Sequence, residues 1–330
     1  MKVALVGLLA LVAAAGTSAA APARQTYELR STPLVGGAAR ILFKAPIRYA
    51  EYAERFVLDV SPTEPRALMD RVVLTGPDAS NDIVYVADLH GRHGRAVTST
   101  SAFTPFVRWA PDGKRVSFET YDGEPCRDFT FWSAGADGAA RAELARGQLF
   151  AWGADSRSFA VTEGCAPGSS EWRLVFVDAG GRRHQIATGW AAPIATAPDG
   201  RLLAYLIATR AGWMLHLGRT DGSGDVGRSV PADSVAWSPD GTRLALVRHG
   251  NLLLASRSGR PGRTLARGGV IPDSPRWSPD GRWISFVRNY RTIEVASPAH
   301  GTPQIVARGA NVLHAWWPRH GRRLYYDGWF

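Results

Sequence analysis

Cysteine is scarce in this chain: 330 residues hold only Cys126 and Cys165. That leaves room for one disulfide at most. Lysine is scarcer still for a basic protein, at three of 39 basic residues (Lys2, Lys44, Lys114). The remaining excess is arginine, a bias that reflects base composition more than contact with polyanions. The formal charge of +10 therefore argues against nucleic acid as a partner. Several catalytic signatures are missing as well. No G-x-S-x-G elbow, H-E-x-x-H helix or P-loop occurs, which removes the serine-hydrolase, zincin and P-loop nucleotide-hydrolase classes recognisable by motif.

Long apolar runs are also lacking after the first residues. Residues 1–23 read MKVALVGLLALVAAAGTSAAAPA. Lys2 supplies a positive start, Val3 to Ala15 an apolar stretch shorter than a comfortable membrane span, and Ser18-Ala19-Ala20 a small-residue cleavage pattern. This predicts a signal peptide over 1–23, cut near Ala20 or Ala23. The mature protein is expected to be secreted or periplasmic in a bacterial cell envelope, with no transmembrane segment.

What is abundant is glycine (35), proline (21) and tryptophan (12), the composition of a folded, turn-rich chain. Six segments align: WAPDGKRVSF from Trp109, WGADSRSFAV from Trp152, TAPDGRLLAY from Thr196, WSPDGTRLAL from Trp237, WSPDGRWISF from Trp277 and WPRHGRRLYY from Trp317. Their spacings of 43, 44, 41, 40 and 40 residues suit four-stranded propeller blades. Each copy has the chemistry of a tight hairpin. Proline presets the first central φ of a type I turn, aspartate (Asp112, Asp155, Asp199, Asp240, Asp280) bonds back to nearby amides, and glycine takes the left-handed conformation. Alternating strands follow, such as Val116/Phe118 and Ile284/Phe286. Trp109, Trp152, Trp237, Trp277 and Trp317 recur at one repeat position, which predicts packing anchors between blades.

W-S-P-D-G followed by a basic residue and an alternating strand resembles the repeats of TolB-type, WD40-like β-propellers. The match covers about residues 105–330, with departures at Ser156, Thr196, Pro318 and His320. The resemblance implies an all-β propeller. The chain is too short before its repeats for the α/β domain that precedes the propeller in TolB, so the expectation is a propeller alone over 24–330.

Only 13 residues follow Trp317. The last blade must borrow strands from the amino-terminal region, which also hides sheet edges. With 82–88 and 95–100 borrowed, the ring has six blades. With 55–62, 71–76, 82–88 and 95–100 as a blade of their own, 27–30 and 39–45 close a ring of seven. Seven is preferred because six strands residues 26–80 as an appendage.

Cys126 and Cys165 fall between the second and third strands of consecutive blades, which predicts a disulfide closing a loop of about 39 residues. The hairpin turns collect arginines, among them Arg115, Arg243 and Arg282, on one face. The opposite rim is expected to be more acidic, with Glu119, Asp122, Glu124, Asp128, Glu163, Glu171, Asp233 and Asp273. Trp172 and Trp213 are candidate binding aromatics in loop-rich regions. No catalytic set, metal site or cofactor is assigned. The function expected is a monomeric, non-catalytic propeller binding a protein or an anionic cell-envelope polymer. The alternative is a hydrolase or lyase with a divalent metal at the central channel.

Overall fold

The computed structural model describes residues 26–34, 37–49, 52–53, 55–76, 79–100, 107–120, 129–164, 172–227, 229–300, 302–319 and 323–330. The expected signal peptide over 1–23 and the expected Cys126–Cys165 disulfide fall outside them, as do Asp122, Glu124, Asp128 and Glu171. Among the described residues there are strands and turns and no helix. None therefore forms a helix long and apolar enough to cross a membrane.

Seven antiparallel sheets form seven blades in a ring. Blade 1 runs through Arg55–Val60, Arg66–Gly76, Ala79–Asp88 and Arg95–Thr100, and blade 2 through Arg108–Trp109, Arg115–Thr120, Phe129–Gly135 and Ala142–Gly147. Blade 3 uses Leu149–Trp152, Phe159–Glu163, Arg173–Val177 and Arg183–Thr188; blade 4 uses Ala191–Thr196, Leu202–Thr209, Gly212–Arg219 and Val230–Pro231. Blade 5 holds Ser234–Trp237, Arg243–Arg248, Asn251–Ser256 and Pro261–Ala266, and blade 6 holds Arg276–Trp277, Ile284–Arg288, Thr292–Ala296 and Gln304–Arg308. First strands touch between blades 1 and 2 and in turn from blade 3 to blade 6, and the first strands surround the axis.

Blade 7 is assembled from both ends of the chain. Asn311–Trp316 and Arg323–Trp329 are its inner strands, while Thr26–Pro33 and Arg40–Tyr49 are its outer ones, extended by the short strand Tyr52–Ala53. Tyr27 lies opposite Trp329 and Pro33 opposite Arg323. The last strand thus pairs with the first strand of the chain, and not with 82–88, as the seven-bladed arrangement requires. One buried network fastens this seam. Tyr27 Oη donates to Asp327 Oδ2 at 2.7 Å and accepts the Val57 amide of blade 1 at 2.8 Å.

The core is a series of wedges, one between each neighbouring pair of blades. Leu68, Val84 and Val86 meet Val107, Trp109 and Phe118 between blades 1 and 2. Phe131 meets Phe159 and Val175 between blades 2 and 3, and Leu206 and Leu217 meet Trp237 between blades 4 and 5. Because each blade is covered on both faces, its second strand is apolar in a run, as in Arg243–Arg248 (RLALVR).

Candidate functional site

The repeated turns build one face of the ring. In blades 2 to 6 the residue after the repeat position donates its amide to the carbonyl five residues on, as Ser238 does to Arg243 and Ser278 to Trp283. Gly113, Gly200, Gly241 and Gly281 have φ between 66° and 71°. Ser156 adopts the same left-handed conformation (φ 60°), so the departure from glycine in blade 3 leaves the turn unchanged. Asp112, Asp155, Asp199, Asp240 and Asp280 all accept, through Oδ1, the amide two residues ahead. Hydrogen bonds from Ser238 and Thr242 hold the Asp240 carboxyl down at about 2. These aspartates are turn caps.

The repeat tryptophans tie blade to blade. The indole N–H of Trp237 donates to Ala195 O (3.2 Å), that of Trp277 to Ala236 O (3.1 Å) and that of Trp317 to Arg276 O (3.0 Å). The acceptor in each case is the residue just before the repeat position of the preceding blade. Trp109 and Trp152 are buried in the same way, but their indole nitrogens have no partner among the described residues. Arginines cover these rings. Arg66 lies over Trp109, Arg115 over Trp152, Arg257 over Trp237 and Arg243 over Trp277, with 5.5 to 5.9 Å between guanidinium carbon and ring centre. Arg115 also bonds the Ser156 carbonyl, and Arg257 bridges Gly241 O and Asp199 Oδ2. Arg115 and Arg243 are thus engaged as straps between blades, while Arg282 projects into solvent, 3.9 Å from Asp280. Lys114, Arg115 and Arg157 line a cavity of about 550 Å³ between blades 2 and 3, with Asp112 and Ala179.

Trp172 begins the third strand region of blade 3, half-buried, its carbonyl accepting the Gly189 amide. Trp213 packs on Trp190 with ring centres 5.6 Å apart and joins the apolar wedge of blades 4 and 5. The two aromatics are engaged with their own blades. The oxygen-rich turn 221–227 is committed as well. Asp221 caps Ser223, and Asp225 accepts from Tyr205 Oη (2.8 Å) and pairs with His216 Nδ1 (2.8 Å). His90 Nδ1 contacts Leu42 O at 2.7 Å. No group of three His, Cys, Asp or Glu among the described residues is arranged to hold a metal ion.

The bore carries the feature that reading the turns alone misses. The residue before each repeat position belongs to a first strand and faces the axis. Around the ring this layer is Asp59, Arg108, Ala151, Ala195, Ala236, Arg276 and Trp316. Blades 3, 4 and 5 give a smooth alanine wall, whereas blades 6, 7, 1 and 2 give charge and an indole. Trp316 Nε1 donates to Asp59 Oδ1 (3.1 Å), and the Trp109 amide donates to Asp59 Oδ2 (3.1 Å). Arg108 Nη1 donates to Val107 O at 2.9 Å; Arg276 Nη1 donates to Asp273 O and Pro275 O at 2.6 and 3.0 Å. Among the described residues neither guanidinium has a carboxylate within hydrogen-bonding distance. Burial raises the Asp59 carboxyl against the pull of Arg108, and raises Asp273 against Arg276 and Arg108. Burial also lowers the Arg276 guanidinium, with Asp273 opposing and Arg108 adding to the effect. Water still reaches Asp273 and Arg276, but protein surrounds them closely. The signal was available in the repeat alignment, one column to the left of the tryptophans.

Glu119 is not on the acidic rim. It is 2% exposed on the second strand of blade 2, and neither carboxyl oxygen has a hydrogen-bond partner among the described residues. Burial pushes its carboxyl up to about 8. Strand alternation explains the misplacement: Glu119 follows Phe118 near the strand's end, where the neighbouring blade covers both faces. Glu163 pairs with Arg183, and Asp233 accepts the His249 amide.

The architecture defines the class: a seven-bladed β-propeller with a polar, asymmetric bore. No family model matches the chain, and no curated protein does. Among solved structures, the chain is similar to TolB from Acinetobacter baumannii, with 12% identity and a TM-score of 0.49, over 92% of this chain and 64% of that one. It is also similar to a structure assigned to TolB from Agrobacterium tumefaciens, with 12% identity and a TM-score of 0.51, over 93% of this chain and 99% of that one. The chain thus spans just under two thirds of the Acinetobacter structure. The likeness is one of fold: this chain folds as a TolB-type propeller.

Proposed function

We propose that this protein is an exported, non-catalytic propeller that binds a partner protein where the bore opens. The observation that supports the reading is the divided lining of the bore. Three alanines give short apolar side chains on one side, and Arg108, Arg276, Asp59 and Trp316 give charged groups and an indole on the other. A smooth half that accepts bulk and a polar half that orients it is the anatomy of a recognition site. The rigid ring holds both halves in place before the partner arrives, which lowers the ordering cost of association. Export rests on the leader-like residues 1–23, and residues 24–330 then form the mature propeller.

A photo-crosslinking residue placed at the half-buried Ala195 or Ala236 in the full, exported chain tests the reading. One discrete polypeptide should be trapped from the bore, and not from the same probe at Ile41 or Ile305 on exposed positions. Trapping from the outer positions alone would overturn it.

A further inference from the structure

We infer that the bore holds a carboxylate between Arg108 and Arg276, supplied by the partner polypeptide of the reading above, on which this inference rests. Arg108 in blade 2 and Arg276 in blade 6 occupy the same repeat position, so both project from first strands into one layer of the bore. Two blades separate them along the shorter arc, and those two contribute Trp316 and Asp59. The two guanidiniums are near enough to feel each other's charge. Among the described residues each donates through Nη1 only to main-chain carbonyls within three residues of itself. Those contacts fix the direction of each side chain while leaving most of its five donors unspent.

Asp59 and Asp273 supply opposite charge nearby, but among the described residues neither carboxylate takes a hydrogen bond from either guanidinium. Asp59 has its Oδ1 on Trp316 and Val60 and its Oδ2 on the Trp109 amide. Asp273 lies on the connection leading into blade 6, in a left-handed conformation (φ 61°), and no described guanidinium bonds its carboxyl. Two oriented cations held close without a bonded anion are unfavourable alone and favourable around one. The planar forks suit a carboxylate, whose two oxygens take paired N–H bonds. With two arginines and two aspartates in the region, the formal charge is balanced, so a monoanion is accommodated better than a dianion such as phosphate. The opposite arc carries only the short side chains of Ala151, Ala195 and Ala236 in this layer, and Trp316 stands between the two arginines in blade order.

Isothermal titration of the folded protein at low salt tests this with four probes. They are N-acetyl-alanine, inorganic phosphate, and two N-acetylated alanine pentapeptides that end in a free carboxylate or a carboxamide. The free-carboxylate peptide should bind at least tenfold more tightly than its amide, and binding should weaken as salt rises. Arg108→Gln and Arg276→Gln should each lose tenfold or more with unchanged melting temperature. Arg276→Lys should recover part of the loss, and Arg282→Gln on the turn face should bind as the parent does. Binding of N-acetyl-alanine that depends on both arginines, with neither peptide binding, supports the site and refutes the partner-protein reading. Equal binding of both peptides leaves that reading standing and overturns the carboxylate site. Tighter binding of phosphate than of N-acetyl-alanine, no binding by any probe, or parent-like binding by the folded glutamine variants also overturns it.

Discussion

At the scale of single residues, buried polar groups without partners set what this fold tolerates. Glu119 binds its proton up to about pH 8 in the folded chain, against an ordinary value of 4.5. The folded state therefore holds a proton that the unfolded state gives up. The contribution of Glu119 to stability is complete below pH 4.5 and falls between 4.5 and about 8, by up to about 1.4 kcal/mol per unit. Glu119→Gln should remove that slope. Thermal melts of parent and variant across pH 4 to 9 should diverge with rising pH, and parallel curves would refute the assignment. The tryptophans offer a matched comparison. Trp237→Phe and Trp277→Phe lose an indole hydrogen bond at 3.2 and 3.1 Å, costing about 1 kcal/mol beyond the change in packing. Trp152→Phe and Trp109→Phe remove a buried donor that has no acceptor among the described residues. Denaturant unfolding should rank the second pair as the better tolerated.

At the scale of elements, the hairpin turn is the unit that repeats, and it was legible residue by residue. Proline, aspartate and glycine act through local sterics and local hydrogen bonds, so W-S-P-D-G carries its own conformation wherever it occurs. Gly200 and Gly241 allow that to be measured. Both have left-handed φ (71° and 66°), but a Cβ at Gly200 meets open space, whereas at Gly241 it comes within 3.0 Å of Arg257 and 3.3 Å of Pro198. Gly200→Ala should cost about 1–2 kcal/mol from backbone conformation alone, and Gly241→Ala more, because the Arg257 strap must move. Equal melting temperatures for the two would show that the strap carries nothing. The arginines of these turns were legible only as charges. Whether Arg115 reaches solvent or lies across Trp152 depends on the next blade's position, and no feature within its own repeat encodes that. The column that lines the bore could be read beside the tryptophans, but not which of its members share one side: Arg108 and Arg276 are 168 residues apart and come to the same side only because the ring closes. Glu119 failed as a rim residue because its surroundings belong to a neighbouring blade.

At the scale of the whole molecule, closure was legible in outline from arithmetic, since 13 residues after Trp317 cannot make a blade. Its fastening was not, because Tyr27 and Asp327 are 300 positions apart. Tyr27→Phe strips the Asp327 carboxylate of a donor and the Val57 amide of its acceptor, a loss of about 2–4 kcal/mol. It should lower the midpoint of a single cooperative unfolding transition. A chain beginning at residue 24 should melt like the full one, whereas one beginning at residue 34 loses a strand of blade 7 and should not fold cooperatively; circular dichroism melts distinguish the two. The seam has a further consequence. Thr26 and Phe330 exchange both backbone hydrogen bonds, at 3.2 and 3.1 Å, where every other blade has a loop between its second and third strands. The chain is a circle cut at one loop of seven. A short linker from residue 330 to residue 26, with a new opening at the exposed Ser223, would give a circular permutant in which blade 4 became the clasp.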